Sequence, residues 1–253
     1  MSLPLIASLD ERLNAADRTL GWSQPTRRLG FVIPPGLVVV AGASSIGTSS
    51  LALKITAELV SWSAACEALL LSVADGPQEI ARRLSSYMPV LDRSPQATTQ
   101  IWIDDGLALA TDTIASRARQ WAAAHKATRK LIVIDDLQHL AAVEQKPVAG
   151  ARVATSLRRL ASELEVTIML CAEVPARRRR ASWVPMRSDL LVYGPILEHC
   201  DATILIYRDA YYHGKTATPS DAELWLWPPQ NGRSAVTLNW DTPSGTFGTP
   251  IGA

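Results

Sequence analysis

Short apolar runs recur along the chain, at Leu37–Ala41, Ala68–Val73, Leu131–Ile134, Thr167–Ala172 and Ala202–Tyr207. Runs of this length without polar alternation are the pattern of strands covered on both faces. Between most of them lie segments with helical patterning, Ser49–Ala65, Pro77–Ser86, Asp112–Ala124 and Ala151–Leu164. Strands alternating with helices imply right-handed βαβ crossovers, and so an α/β domain with a mainly parallel sheet flanked by helices. The pattern changes near the end. Glu223–Trp227 and Ala235–Trp240, separated by PPQNGRS, predict an antiparallel hairpin with Asn231 and Gly232 at the turn.

Residues 1–36 hold one amphipathic stretch, Leu9–Leu20, and then the Pro- and Arg-containing Ser23–Pro35. They read as a lead-in or linker, with the main domain over 37–247 and a frayed tail over 248–253. DTPSGTFGTPIGA has the composition of a terminal loop, and VPARRRRASWVPMRS at 174–188 that of a basic, proline-bounded one.

With 253 residues, 47% hydrophobic and 19% charged, the chain can fill the core of one large domain. The net charge of +1 gives no global pull toward nucleic acid or membrane, so any nucleic-acid contact must be a local patch. Cys66, Cys171 and Cys200 lack metal-type spacing and suit buried, reduced thiols in a cytoplasmic setting. MSLPLIASLDERLN has neither the basic start nor the apolar core of a signal peptide, and no apolar run is long enough for a membrane span.

The chemistry is concentrated in LVVVAGASSIGTSSLALKI, residues 37–55. An apolar strand leads to Gly42, four residues intervene, Gly47 follows and a helix begins. This is the layout of a phosphate-binding loop, in which backbone N–H groups cradle phosphates, a lysine contacts the terminal ones and a hydroxyl holds magnesium. The nucleotide-binding candidates are Gly42, Ala43, Ser44, Ser45, Ile46, Gly47, Thr48 and Ser49. Thr48 occupies the lysine position and carries no charge. Lys54 lies six residues further on, roughly 9 Å up the helix axis and on another face. Losing a charge-assisted hydrogen bond costs about 1.5–3 kcal/mol of affinity, and losing one transition-state donor about 10²–10³ in rate. A Gly/Ser-rich strand–helix turn without a ligand is the plainer alternative.

KLIVIDDLQHL places Asp135 directly after an apolar run, where a carboxylate would hold magnesium together with Ser49. With IWIDD, SRAR, LRRLASELEV, SDLLVYGPILEHCDATILIYRDAYYH and AELWLWPPQNG, in order from about residue 29 to residue 247, the chain resembles the C-terminal RecA-type motor domain of DnaB-type replicative helicases. The resemblance implies a single RecA-like domain, ATP with magnesium as cofactor, oligomeric assembly and contact with single-stranded DNA.

The departures from that family are at chemical positions. The family's Ser-Leu-Glu-Met-like motif, whose glutamate activates water, is here Ser72-Val73-Ala74-Asp75, so Ala74 replaces the glutamate; strand alternation expects Asp75 to point elsewhere. The family's Lys-x-Arg-Asn-Gly, which reaches a neighbouring subunit's nucleotide, is here Pro228-Pro229-Gln230-Asn231-Gly232. Such a trans arginine is worth about 10³–10⁵ in rate in other nucleotide hydrolases. The family's Ser-Gln after the fourth strand has become Ala172-Glu173, which brings a negative charge near the expected terminal phosphate. With Thr48, Ala74, Pro228 and Gln230 all altered, the resemblance implies a catalytically degenerate, binding and assembling relative. An active ATPase or helicase with a non-standard loop, and a purely structural assembly subunit, are the alternatives. Its expected partners are further copies of itself, a related helicase, or single-stranded DNA.

Arg177, Arg178, Arg179 and Arg180, with Trp183 and Arg187 nearby, suit phosphate contact and base stacking; a solvated loop or an acidic protein partner is the alternative. The family's strand-contacting Arg-Glu is here Leu191-Val192, and the apolar run Leu190–Tyr193 points to a protein contact unless the chain buries it.

Overall fold

The computed structural model describes residues 29–62, 65–72, 75–87, 100–104, 110–140, 149–174, 183–214, 221–230 and 233–251. These form a nine-stranded sheet in the order β3-β2-β4-β5-β1-β6-β7-β8-β9. The strands are β1 Gly36–Gly42, β2 Cys66–Ser72, β3 Ile101–Asp104, β4 Arg129–Asp135, β5 Thr167–Glu173, β6 Ala202–Tyr207, β7 Asp221–Gln230, β8 Arg233–Asp241 and β9 Thr246–Pro250. The first six are mutually parallel, and β6 to β9 run antiparallel in succession. All five expected inner strands and both hairpin strands are present. The four-residue β3 is too short for its periodicity to register in the sequence.

Four longer helices cover the sheet: α1 Thr48–Trp62, α2 Pro77–Ser85, α3 Thr111–Ala124 and α4 Ala149–Leu164; a five-residue α5, Asp209–His213, follows β6. Strand alternation divides the core into two layers. Val38 and Val40 of β1 join α1 and α2 on one face, whereas Leu37 and Val39 join α3 and α4 on the other. In α3, Ile114, Ala118 and Trp121 are buried at four- and three-residue spacing, the stripe that its amphipathic pattern requires. Helix α1 is different. It is buried nearly all round, because the sheet covers one side and β9 approaches another.

Two expected boundaries are corrected. Leu29, Phe31 and Ile33 are core residues, so the packed domain starts before residue 37 and the lead-in expected over 1–36 is structural from Leu29 onward. The tail is not a frayed loop over its whole length: Thr246–Pro250 pairs with β8, and Phe247 is 2% exposed against Trp240. Burial of that ring outweighs the local composition of glycine, threonine and proline.

Candidate nucleotide site

The carboxyl ends of six parallel strands lie along one edge, where open α/β sheets hold their ligands. The phosphate loop leaves β1 there. Gly42 has no room for a side chain, since a Cβ would stand 2.5 Å from Ile46 Cγ2. Ile46 is fully buried and anchors the loop from below, while Ser44 and Ser45 are exposed at its tip. Ser45 has φ 58 and Gly47 φ 117; a Cβ on Gly47 would also press on Trp240 and Phe247. Ser45 and Gly47 thus hold left-handed backbone in the turn, and the Ile46 N–H between them donates back to the Ala43 carbonyl at 3.1 Å. Helix α1 then begins at Thr48, with Leu51 N–H donating to the Gly47 carbonyl at 2.9 Å.

Ser49 and Asp135 are brought together at one cavity. The Ser49 hydroxyl hydrogen-bonds the Asp135 carboxylate, and both line a small cavity with Ala52, Leu70, Ser72 and Asp75. Burial pushes the Asp135 carboxyl up from 3.8 to about 6; the hydrogen bond from Ser49 opposes this, and the Asp136 and Asp75 charges add to it. Cys171, fully buried beside Asp135, is raised well above the usual thiol value by burial and by the Asp135 and Asp136 charges. Asp75 therefore departs from expectation. Its amide is held by Ser72 Oγ at 3.1 Å and its carboxylate pairs with Arg83 at 2.8 Å, which turns it toward the Ser49–Asp135 cavity. The strand has ended at Ser72, so strict alternation no longer governs its direction.

Behind Asp135, Asp136 accepts hydrogen bonds from Gln138 Nε2 at 2.6 Å and from the His139 ring at 2.5 Å. Gln138 Oε1 accepts the Glu173 N–H at 3.0 Å, so this glutamine ties the end of β4 to the end of β5.

Among the described residues, Lys54 and Arg208 beside the loop are engaged within the chain. Lys54 pairs with Glu58 at 3.0 Å, both nearly buried, and sits over the Tyr87 ring. Arg208 was not singled out in the sequence. It is buried, donates to the Ile46 carbonyl at 3.2 Å and stacks 3.8 Å over Trp240. Tyr211 donates to the Ser44 carbonyl at 2.9 Å, closing over the outer side of the loop. Only the YRDAYYH motif hinted at either contact.

Gln230, at a position of the family's trans cations, turns inward instead. Its Oε1 accepts the Val32 N–H at 2.6 Å and its Nε2 donates to the Val32 carbonyl at 2.8 Å. Pro228 is exposed on β7. Ala74 and the Arg177–Arg180 run lie outside the described residues. Arg187 is half-buried and near enough to Cys200 to oppose the burial that lifts that thiol to about 12. The Leu190–Tyr193 run is divided: Leu190 and Tyr193 are buried, whereas Leu191 and Val192 are exposed. No helix among the described residues is long and apolar enough to cross a membrane.

A mainly parallel sheet with a strand–loop–helix turn at the end of β1, a Ser–Asp pair beside it and antiparallel strands at one edge defines a RecA-like ATPase-type domain. The match to the DnaB-like helicase C-terminal domain covers residues 87–248, and the chain belongs to that family. It is 22% identical to the replicative DNA helicase DnaB of Haemophilus influenzae over 91% of this chain and 54% of that protein. It is 25% identical to the Pasteurella multocida DnaB over 84% and 50%, respectively. The chain thus spans about half the length of these relatives. Its fold matches a solved ATPase domain with a TM-score of 0.75 at 20% identity, covering 97% of each chain. It matches a DnaB-like replicative helicase, solved in a study of its interactions with primase, with a TM-score of 0.71 at 20% identity, over 98% of this chain and 67% of that one.

Proposed function

We propose that this protein is a catalytically degenerate DnaB-like motor domain, which works by binding and assembly and does not turn over ATP. The observation that carries this is the commitment, among the described residues, of three cations near the phosphate loop: Lys54 to Glu58, Arg83 to Asp75, and Arg208 to the Ile46 carbonyl and Trp240. Each of these is engaged by a partner within the chain while Thr48 carries no charge, and Gln230 is held by its own subunit's backbone; these support the reading. The loop and the Ser49–Asp135 pair still fit a magnesium-bound nucleotide. Ser49 and Asp135 would hold the metal, which would offset phosphate charge, while the loop N–H groups would cradle the phosphates. In this role nucleotide acts as a ligand that tunes assembly with further copies or with a related helicase, and Arg177–Arg180 offers the phosphate contact for single-stranded DNA.

The test is phosphate release by the full chain with Mg-ATP, with and without a single-stranded oligonucleotide. No release above the protein-free rate is expected, and sustained release would overturn the proposal. The second reading, an active ATPase, is favoured by Asp75 facing the Ser49–Asp135 cavity. It requires that Asp75→Asn abolish whatever release is seen. A calorimetric titration without heat for any nucleotide would leave the purely structural assembly subunit. Replacing Arg177–Arg180 by alanine is expected to remove salt-sensitive oligonucleotide binding; persistence of that binding would reject the DNA assignment.

A further inference from the structure

Strand alternation gives the phosphate loop an acidic neighbour. Met169 and Cys171 of β5 point into the layer shared with α1, so Glu173, two residues on, projects to the same face. Glu173 is the direct strand neighbour of Gly42, and Val174 N–H donates to the Gly42 carbonyl at 2.8 Å. Its backbone is fixed from two further sides: Gln138 accepts its N–H and the Tyr193 hydroxyl donates to its carbonyl at 2.5 Å. The next strand end, β4, presents Asp135 on the same face, with Asp75 beyond it in the cavity. Arg83 offsets Asp75, and Arg208 is turned to the Ile46 carbonyl and Trp240.

We infer that this site selects a magnesium-bound nucleoside diphosphate over the triphosphate, and that Glu173 is the residue that sets the preference. The inference rests on the nucleotide-binding part of the proposed function. One magnesium ion offsets two charges. A diphosphate chain so neutralised can sit on the loop N–H groups, with Ser49 and Asp135 toward the metal. A third phosphate adds negative charge at a strand edge that, among the described residues, already carries Asp135 and Glu173, with Thr48 where a lysine would offset it. A single uncompensated unit charge in partly buried surroundings is worth about tenfold or more in affinity. The domain would therefore rest in a diphosphate-bound state without needing hydrolysis to reach it.

The experiment is calorimetry on the full chain with Mg-ADP and with a non-hydrolysable Mg-ATP analogue, for wild type, Glu173→Gln and, as a second variant, Glu173→Ser. The wild type is expected to bind the diphosphate at least about tenfold more tightly. Either substitution should bring the ratio to about threefold or less, mainly by strengthening the triphosphate analogue, with the thermal midpoint unchanged. Equal or tighter binding of the triphosphate analogue by wild type overturns the inference and leaves nucleotide binding standing. A tenfold gap that persists in both variants overturns the role of Glu173. No heat with either nucleotide overturns this inference together with the nucleotide-binding reading beneath it.

Discussion

Asp135→Asn separates what the proposed magnesium pair, Ser49 and Asp135, would do for ligand binding from what the Asp135 charge costs the fold. The wild-type carboxyl has its pKa raised from 3.8 to about 6, chiefly by burial. A raised carboxylate pKa means that the ionised form is disfavoured in the folded state. The penalty is therefore fully present above about pH 6, shrinks as pH falls through the folded value, and vanishes below the unfolded value near 4. A shift of that size corresponds to about 3 kcal/mol, and allowing for the water that reaches this half-buried side chain gives about 1–3 kcal/mol. Asparagine keeps the shape and an acceptor for the Ser49 hydroxyl without the charge. Urea denaturation at pH 8 should show Asp135→Asn more stable than wild type by that amount, with the difference lost near pH 4. Saturating magnesium should stabilise the wild type at pH 8 and leave the variant unmoved. An equally stable variant at pH 8, or a difference that is the same at both pH values, would refute the assignment of a buried, strained charge to Asp135.

Gln230→Ala removes both hydrogen bonds to Val32 and should cost about 1–3 kcal/mol in urea denaturation, with faster amide exchange at Val32; a change within 0.3 kcal/mol, about the noise of such measurements, would show that the clamp is not formed. Lys54→Met leaves Glu58 buried without its cation and should cost about 3–5 kcal/mol, whereas adding Glu58→Leu should return stability close to wild type. A double variant as unstable as the single one would reject that account. Phe247→Ala should cost about 3–5 kcal/mol, because its ring packs on Trp240 beside the Gly47 turn; a neutral effect would restore the frayed tail.

The main strands, the four longer helices and the layout of the phosphate loop were legible in the sequence, because each is written in contiguous residues. An uninterrupted apolar run marks a strand covered on both faces, and glycines at 42 and 47 mark a turn that larger residues cannot make. The same local logic placed Ser49 and Asp135 at the start of a helix and the end of a strand, where they meet. Contacts between distant residues left no such trace. Val32 and Gln230 are 198 positions apart, and Arg208 and Ile46 are 162 apart. Pairing of that kind depends on which strands become neighbours, and β1 lies beside β5 and β6, not beside its successor β2. Tertiary packing alone turned Asp75 into the Ser49–Asp135 cavity, drew Leu29, Phe31 and Ile33 into the core, and made a strand of Thr246–Pro250. In each case the energy comes from burial or pairing in the folded structure, whether the partner is near, as Ser72 and Arg83 are to Asp75 and β8 is to Thr246–Pro250, or far, as Gln230 is to Val32, and a one-dimensional pattern carries no record of it.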